Sequence, residues 1–233
     1  YGKSFKKNST LTYSAEFKHE AGTINLDLNS SITAPKISGA GTINVDATEL
    51  NAESVTVIAA DMTGFTGTIN VEGEGIITER TENGLVIKAD PSYIAELEIL
   101  DGEYGNYTND SEKTVGKLTY VRTLPAAGIW YPVFLPFYVP VDALADKFDV
   151  ARINDLHTSF SEEDGSIEKM WVEYIVRKSG TLAAGKPFLV RAKSSANLEM
   201  SIVLEGENVK LYPASKKSTI TVSSAITKVT FDG

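Results

Sequence analysis

The chain has 233 residues, no cysteine and a formal net charge of −9, from 22 Lys and Arg against 31 Asp and Glu. The missing cysteine excludes disulfides, thiolate metal sites and cysteine nucleophiles, and the acidic balance disfavours nucleic acid, whose phosphates call for clustered Lys and Arg. A hydrophobic share of 42% fills a sizeable core, while no apolar run approaches the ~20 residues of a membrane helix, so no transmembrane segment is expected.

The chain opens on Tyr1. A processed form is expected, from which any signal peptide has been removed. In the first half the phrase GTIN occurs three times, at 22–25, 41–44 and 67–70. Each copy alternates as a strand does, with Ile43 and Val45 on one face and Thr42 and Asn44 on the other. The preceding Gly is expected to supply a corner with positive φ. Short strands are expected between and after the copies, at 54–59, 75–79, 85–89 and 94–100. The copies are separated by 19 and 26 residues, the length of one turn of a β-solenoid. Stacked turns would place Ile24, Ile43 and Ile69 in one internal ladder. Only one aromatic, Phe65, falls between Ala21 and Ser92, which fits a narrow interior of Val, Ile and Leu. The phrase also resembles the Gly-Thr-rich strands of secreted bacterial adhesin-like β-helices, over about residues 20–90.

The segment DGEYGNYTNDSEKTVG, 101–116, is polar and turn-rich and reads as a junction. Composition changes across it. Residues 1–115 carry 8 basic and 18 acidic side chains, and residues 116–233 carry 14 and 13. Two domains follow, a β-solenoid-like repeat domain over 1–115 and a β-sandwich over 116–233. The junction ends one composition and carries the pair Tyr104 and Tyr107.

Beyond residue 116 the expected strands are longer: 118–124, 129–137, 150–153, 169–178, 187–192, 198–204, 220–222 and 229–231. The run IWYPVFLPF at 129–137 reads as buried on both faces, bent by Pro132 and Pro136, with Trp130 in the core. Residues 141–148 (VDALADKF) read as one short helix capped by Asp142, with Ala143, Leu144 and Phe148 inward. Strands separated by turn signals, with this one helix, give an all-β chain whose second half is an antiparallel sandwich. The combination of Trp130, then Leu135-Pro136-Phe137, then Ala184-Gly185-Lys186-Pro187-Phe188-Leu189-Val190 resembles a W…LPF…AGKPYLI pattern. That pattern belongs to a β-sandwich module of exported surface proteins of Bacteroides-type bacteria. The resemblance covers about residues 117–233, with Phe188 where Tyr is usual. It implies export, an extracellular or outer-surface location and a fold type. It implies no catalytic residue.

Candidate chemistry is sparse. GTLAAGKP at 180–187 begins like a phosphate-binding loop, but Pro187 stands where Ser or Thr would hold Mg²⁺ and has no N–H to donate. His19 and His157 have no partner at zinc-ligand spacing and read as surface residues. Acidic clusters at 101–103, 110–112 and 162–164 read as solvated turns. No metal site and no cofactor site is expected. The better lead is aromatic. In 169–178, Trp171 shares a face with Glu173, Ile175 and Arg177, and a Trp beside charged groups can stack on a sugar ring. Tyr104 and Tyr107 are the second candidate platform, and packing of the domain junction is an equal reading of that pair. The favoured reading of Trp171 itself puts the 141–148 helix over it, making a second small core. The expected function is a non-catalytic structural or adhesive module whose partner is a protein or glycan at the cell surface. A carbohydrate-binding module of a glycan-uptake system is the alternative, and a glycan-active hydrolase or lyase the least favoured.

Overall fold

A computed structural model describes residues 3–4, 9–27, 29–48, 55–100, 110–213, 220–224 and 228–231. The protein is all-β, and its chain forms two compact units, Tyr1–Ala95 and Glu96–Gly233.

The first unit contains β1 (Lys3–Ser4), β2 (Thr10–Thr12), β3 (Phe17–Lys18), β4 (Thr23–Asp27), β5 (Ser31–Gly39), β6 (Thr42–Asp46), β7 (Val55–Phe65), β8 (Thr68–Glu72), β9 (Ile76–Thr81) and β10 (Gly84–Ala89). Each GTIN copy is a short strand, and the three lie side by side. β4, β6 and β8 are parallel and in register, so Ile24 faces Ile43 and Ile43 faces Ile69. A second sheet runs β2-β5-β7-β10-β9, with β3 also on β5. β5 and β7 are parallel, and β10 then turns antiparallel onto β7 as half of a hairpin with β9. Alternation sends one face of each strand inward. Ile24, Leu26, Ile32, Ile43, Ile58 and Ile87 are buried in one cluster, with Ile69 partly buried against it. β5 was not legible in the sequence. Pro35 sits inside it, and the pairing with β7 shifts register on that side, between Thr33 and Lys36, because Pro has no N–H for the ladder.

The glycines of the repeat do two different jobs. Gly22 has the expected positive φ of 91°. Gly41 and Gly67 do not. They are small because neighbouring corners touch: a Cβ on Gly67 would lie 1.9 Å from the Gly41 carbonyl oxygen, and one on Gly41 would lie 2.3 Å from the His19 ring. His19 is accordingly buried, only 8% exposed, rather than on the surface. Its Nε2 lies 3.0 Å from the Thr42 carbonyl oxygen, and its ring continues a stack from Tyr13 through Phe17.

The second unit contains most of β11 (Tyr93–Leu100), followed by β12 (Lys113–Thr123), β13 (Tyr131–Val133), β14 (Val139–Pro140), β15 (Phe148–Phe160), β16 (Ile167–Arg177), β17 (Thr181–Leu182), β18 (Phe188–Ala192), β19 (Glu199–Leu211), β20 (Ile220–Ser223) and β21 (Lys228–Phe231). Its sheets are β11-β12-β19, β13-β18-β15-β16, β14-β17 and β20-β21. Leu118, Leu135, Phe137, Phe148, Val190 and Ile202 are among its buried side chains.

The helix expected at 141–148 is absent. Only a single 3₁₀ turn forms, at Val141–Ala143, with Pro140 rather than Asp142 at the N-cap position and no side-chain cap. A segment this short cannot offset the cost of helix nucleation. Phe148, which would close the helix, is instead held in β15 opposite Ala192. Leu144 and Phe148 still point inward, while Ala143 is exposed. The run 129–137 keeps only β13 as strand, with Ile129 exposed and Trp130 partly buried.

Candidate functional site

β15 and β16 form a long two-stranded ribbon on one side of their sheet. Among the described residues β16 pairs only with β15, at the end of the order β13-β18-β15-β16, and is therefore an edge strand. The ribbon closes through a tight turn in which Asp164 accepts hydrogen bonds from the Ser166 backbone N–H and hydroxyl, at 3.0 and 2.7 Å. The Ser166 hydroxyl, then its backbone N–H, holds the Asp164 carboxyl below the usual range. The acidic cluster 162–164 is therefore turn chemistry.

Trp171 lies on this ribbon and is 45% exposed. No helix covers it. Cross-strand pairing sets His157 directly opposite, and the two rings stack with centroids 5.4 Å apart and planes 23° from parallel. Strand alternation places Lys169 and Glu173 on the same face. Lys169 Nζ lies 5.8 Å from the Trp171 ring centre. Glu173 is held from two sides, with Oε2 2.6 Å from His157 Nε2 and Oε1 accepting from Asn154 Nδ2 at 2.8 Å. Asn154 is the extra residue of a β-bulge in β15, and such a bulge re-aims a side chain across the ladder. The result is a flat aromatic surface rimmed by an imidazole, an ammonium and a fixed carboxylate. Such a group can stack on the apolar face of a sugar or an aromatic side chain and hydrogen-bond at the rim. Alternation alone located Trp171, but the bulge and the His157 pairing left no signal in the sequence.

The other side of the ribbon is covered at one end. Ala151, Ile153 and Leu156 join Leu189 and Val222 in a small core, against which Trp130, Val172 and Ile220 pack. Tyr174 meets Trp130 at 4.8 Å, and the Arg191 guanidinium lies 4.6 Å from the Trp130 ring centre while it binds Asp149 at 2.6 Å. Trp130 and Arg191 are thus tied into the scaffold.

Tyr104 and Tyr107, with the acids at 101–103, lie outside the described residues. The structure instead shows a second aromatic pair that the sequence did not signal. Tyr138 and Tyr212 meet edge to face at 5.6 Å, beside a cleft of about 380 Å³ also lined by Pro140, Thr181 and Lys210. In the first unit, Glu72, Glu74, Asp90 and Tyr93 line a cleft of about 640 Å³. Three of these four side chains are already engaged. The Tyr93 hydroxyl donates to Glu74 at 2.5 Å, and Asp90 accepts from the Ser92 N–H and hydroxyl at 2.7 and 2.6 Å. The Glu74 carboxylate, which binds the protonated phenol, pushes Tyr93 up to about 12.

Among the described residues no cluster of three or more His, Asp or Glu side chains is arranged to hold a metal ion, and no helix is long and apolar enough to cross a membrane. GTLAAGKP leads into strand β18, where a phosphate loop needs a helix. Its Gly185 N–H donates to the Leu135 carbonyl oxygen at 2.8 Å. The LPF and AGKP segments are therefore bonded to each other, and Leu135, Phe137 and Ala184 in them, with Phe188 just after, are buried. No family model, curated protein or solved structure matches the chain.

Proposed function

We propose that the chain is a non-catalytic structural and adhesive module of an exported protein at the outer surface of a Bacteroides-type bacterium. In this reading the first unit is a short β-solenoid of stacked GTIN coils, and the second is a β-sandwich that carries the interacting surface. Its partner is a protein or glycan at the cell surface. The observation that carries the proposal is the exposure of Trp171 on the β15–β16 ribbon, beside further exposed apolar side chains. Monomeric proteins seldom leave such patches without a use. The acids favour the same reading, because Asp46, Asp90 and Asp164 are each engaged by a Ser or Thr of their own turn.

Carbohydrate binding is the second reading, favoured by the polar rim around Trp171. Beads coated with the full chain test both on immobilised surface proteins and on host and plant glycans. Retention that falls at least about tenfold with Trp171→Ala is expected, the scale of a lost aromatic anchor. Protein surfaces that retain the beads support adhesion, and glycans that retain them move the chain to the carbohydrate-binding class. Retention on neither, or retention unaffected by Trp171→Ala, overturns the proposal.

A further inference from the structure

β16 has the features that natural sheets usually avoid at an edge. It is 11 residues long, contains no Pro or Gly, and leaves Ile167, Met170, Trp171, Tyr174, Ile175 and Val176 exposed. Such an edge is a template for another strand. Its charges indicate which strand. The chain as a whole is strongly acidic, yet β16 carries two acids, Glu168 and Glu173, and two bases, Lys169 and Arg177. From Lys169 to Arg177 its pairing with β15 runs without a break on the β16 side, the bulge there falling at Glu168. Within that regular span the face reads Lys169, Trp171, Glu173, with opposite charges placed symmetrically about the Trp.

We propose that this edge pairs with a second copy of itself, antiparallel and centred on Trp171, so that Lys169 of each copy meets Glu173 of the other. This rests on reading the ribbon as an interaction surface and names the partner. The register is selected by residue type. Antiparallel pairing keeps directly opposed side chains on one face. Centring on Trp171 sets the two Trp rings together, opposes Lys169 to Glu173 twice, and on the other face opposes Met170 to Val172 twice. The exposed Ile167 and Ile175 then fall towards each other at the ends. Centring on Glu173 would oppose two carboxylates and set Lys169 against Arg177, like charges that destabilise a ladder. The contact is isologous, as a two-fold dimer requires.

Sedimentation equilibrium of the full chain is the test, from about 1 to about 200 µM, the range in which a small interface associates. The expected mass rises towards twice the 25.2 kDa of the chain. Lys169→Glu places like charges in both symmetric pairs and is expected to weaken association at least about tenfold. Glu173→Lys does the same with the opposite sign. Mixing the two variants makes both pairs complementary again, and the mixture is expected to recover the dimer. A wild-type chain that stays monomeric overturns the proposal, as does a Lys169→Glu chain that dimerises like wild type. A mixture that stays monomeric while both variants keep the wild-type circular-dichroism spectrum also overturns it. Glu173 binds His157 and Asn154, so if Glu173→Lys loses that spectrum, Lys169→Glu decides alone. A monomeric wild type that still holds beads to proteins or glycans through Trp171 removes self-pairing and leaves the proposed function standing. A dimer that holds no beads does the reverse.

Discussion

Asn44 shows how much one residue of the repeat does. Its Nδ2 donates to Asn25 Oδ1 at 2.9 Å, and its own Oδ1 accepts from Asn70 Nδ2 at 2.9 Å. The three asparagines of the three GTIN copies thus form an amide ladder alongside the Ile ladder. Asn44→Ala is expected to cost about 1 kcal/mol, because it strands the half-buried Asn25 acceptor, while the exposed Asn70 amide turns to water. Gly67→Ala is expected to cost about 1–3 kcal/mol by overpacking against the Gly41 carbonyl. Both Trp residues lie in the second unit, so amide exchange at Ile43 is the probe for these losses, not Trp fluorescence. Tyr93 supplies a pH test. Its folded value of about 12 lies above the ordinary 10.0. The contribution of the bond to Glu74 is therefore complete below pH 10 and fades as pH rises from 10 to 12. Glu74→Ala is expected to bring the Tyr93 titration, followed by NMR at Cζ, back towards 10. At this scale the sequence was partly legible. The Ile positions followed from alternation. The packing role of Gly41 and Gly67, the ladder and the burial of His19 did not, because each depends on a residue 19 or more positions away.

Elements were legible where local pattern and final environment agreed. The three GTIN strands, the strands around 55–59, 85–89 and 94–100, and the long strand at 169–177 follow period-two alternation and appear in place. The pattern failed where a competing local signal was stronger. Pro35 hid β5, and an amphipathic octet at 141–148 imitated a helix although Phe148 had a better partner in Ala192. The lengths of β15 and β19 were underestimated, since polar residues interrupt their outer portions and only cross-strand pairing holds them extended. β15 also supplied two residues of the site, Asn154, which the sequence pattern left unassigned, and His157, which it read only as a surface residue. His157→Ala removes both the ring stacked on Trp171 and one contact of Glu173. It is expected to weaken Trp171-dependent bead retention about threefold to tenfold while leaving the circular-dichroism spectrum unchanged, since the substituted side chain is partly exposed.

The whole molecule joins two kinds of β-structure with different exposure. In the first unit successive parallel strands repeat one phrase, and an antiparallel hairpin, β9–β10, finishes one of the two sheets. In the second unit the ribbon ends in β16, which carries Trp171 and is an edge strand among the described residues. Composition marked this contrast in advance: acidic before the junction, with Phe65 the one aromatic between Ala21 and Ser92, and balanced after it, where both Trp residues lie. What composition could not supply is which aromatic stays exposed, because that depends on a covering helix that fails to form. The proposed interaction lies on β16, and hydrogen–deuterium exchange of the full chain measures this directly. At low concentration and without a retaining surface, the amides of β16 are predicted to exchange well before those of β4 and β6. With the second copy or a retaining partner present, residues 167–177 are predicted to gain protection while β4 and β6 stay unchanged. New protection confined to the Tyr138–Tyr212 cleft or to the Glu74–Tyr93 cleft, with β16 still exchanging freely, would contradict the account.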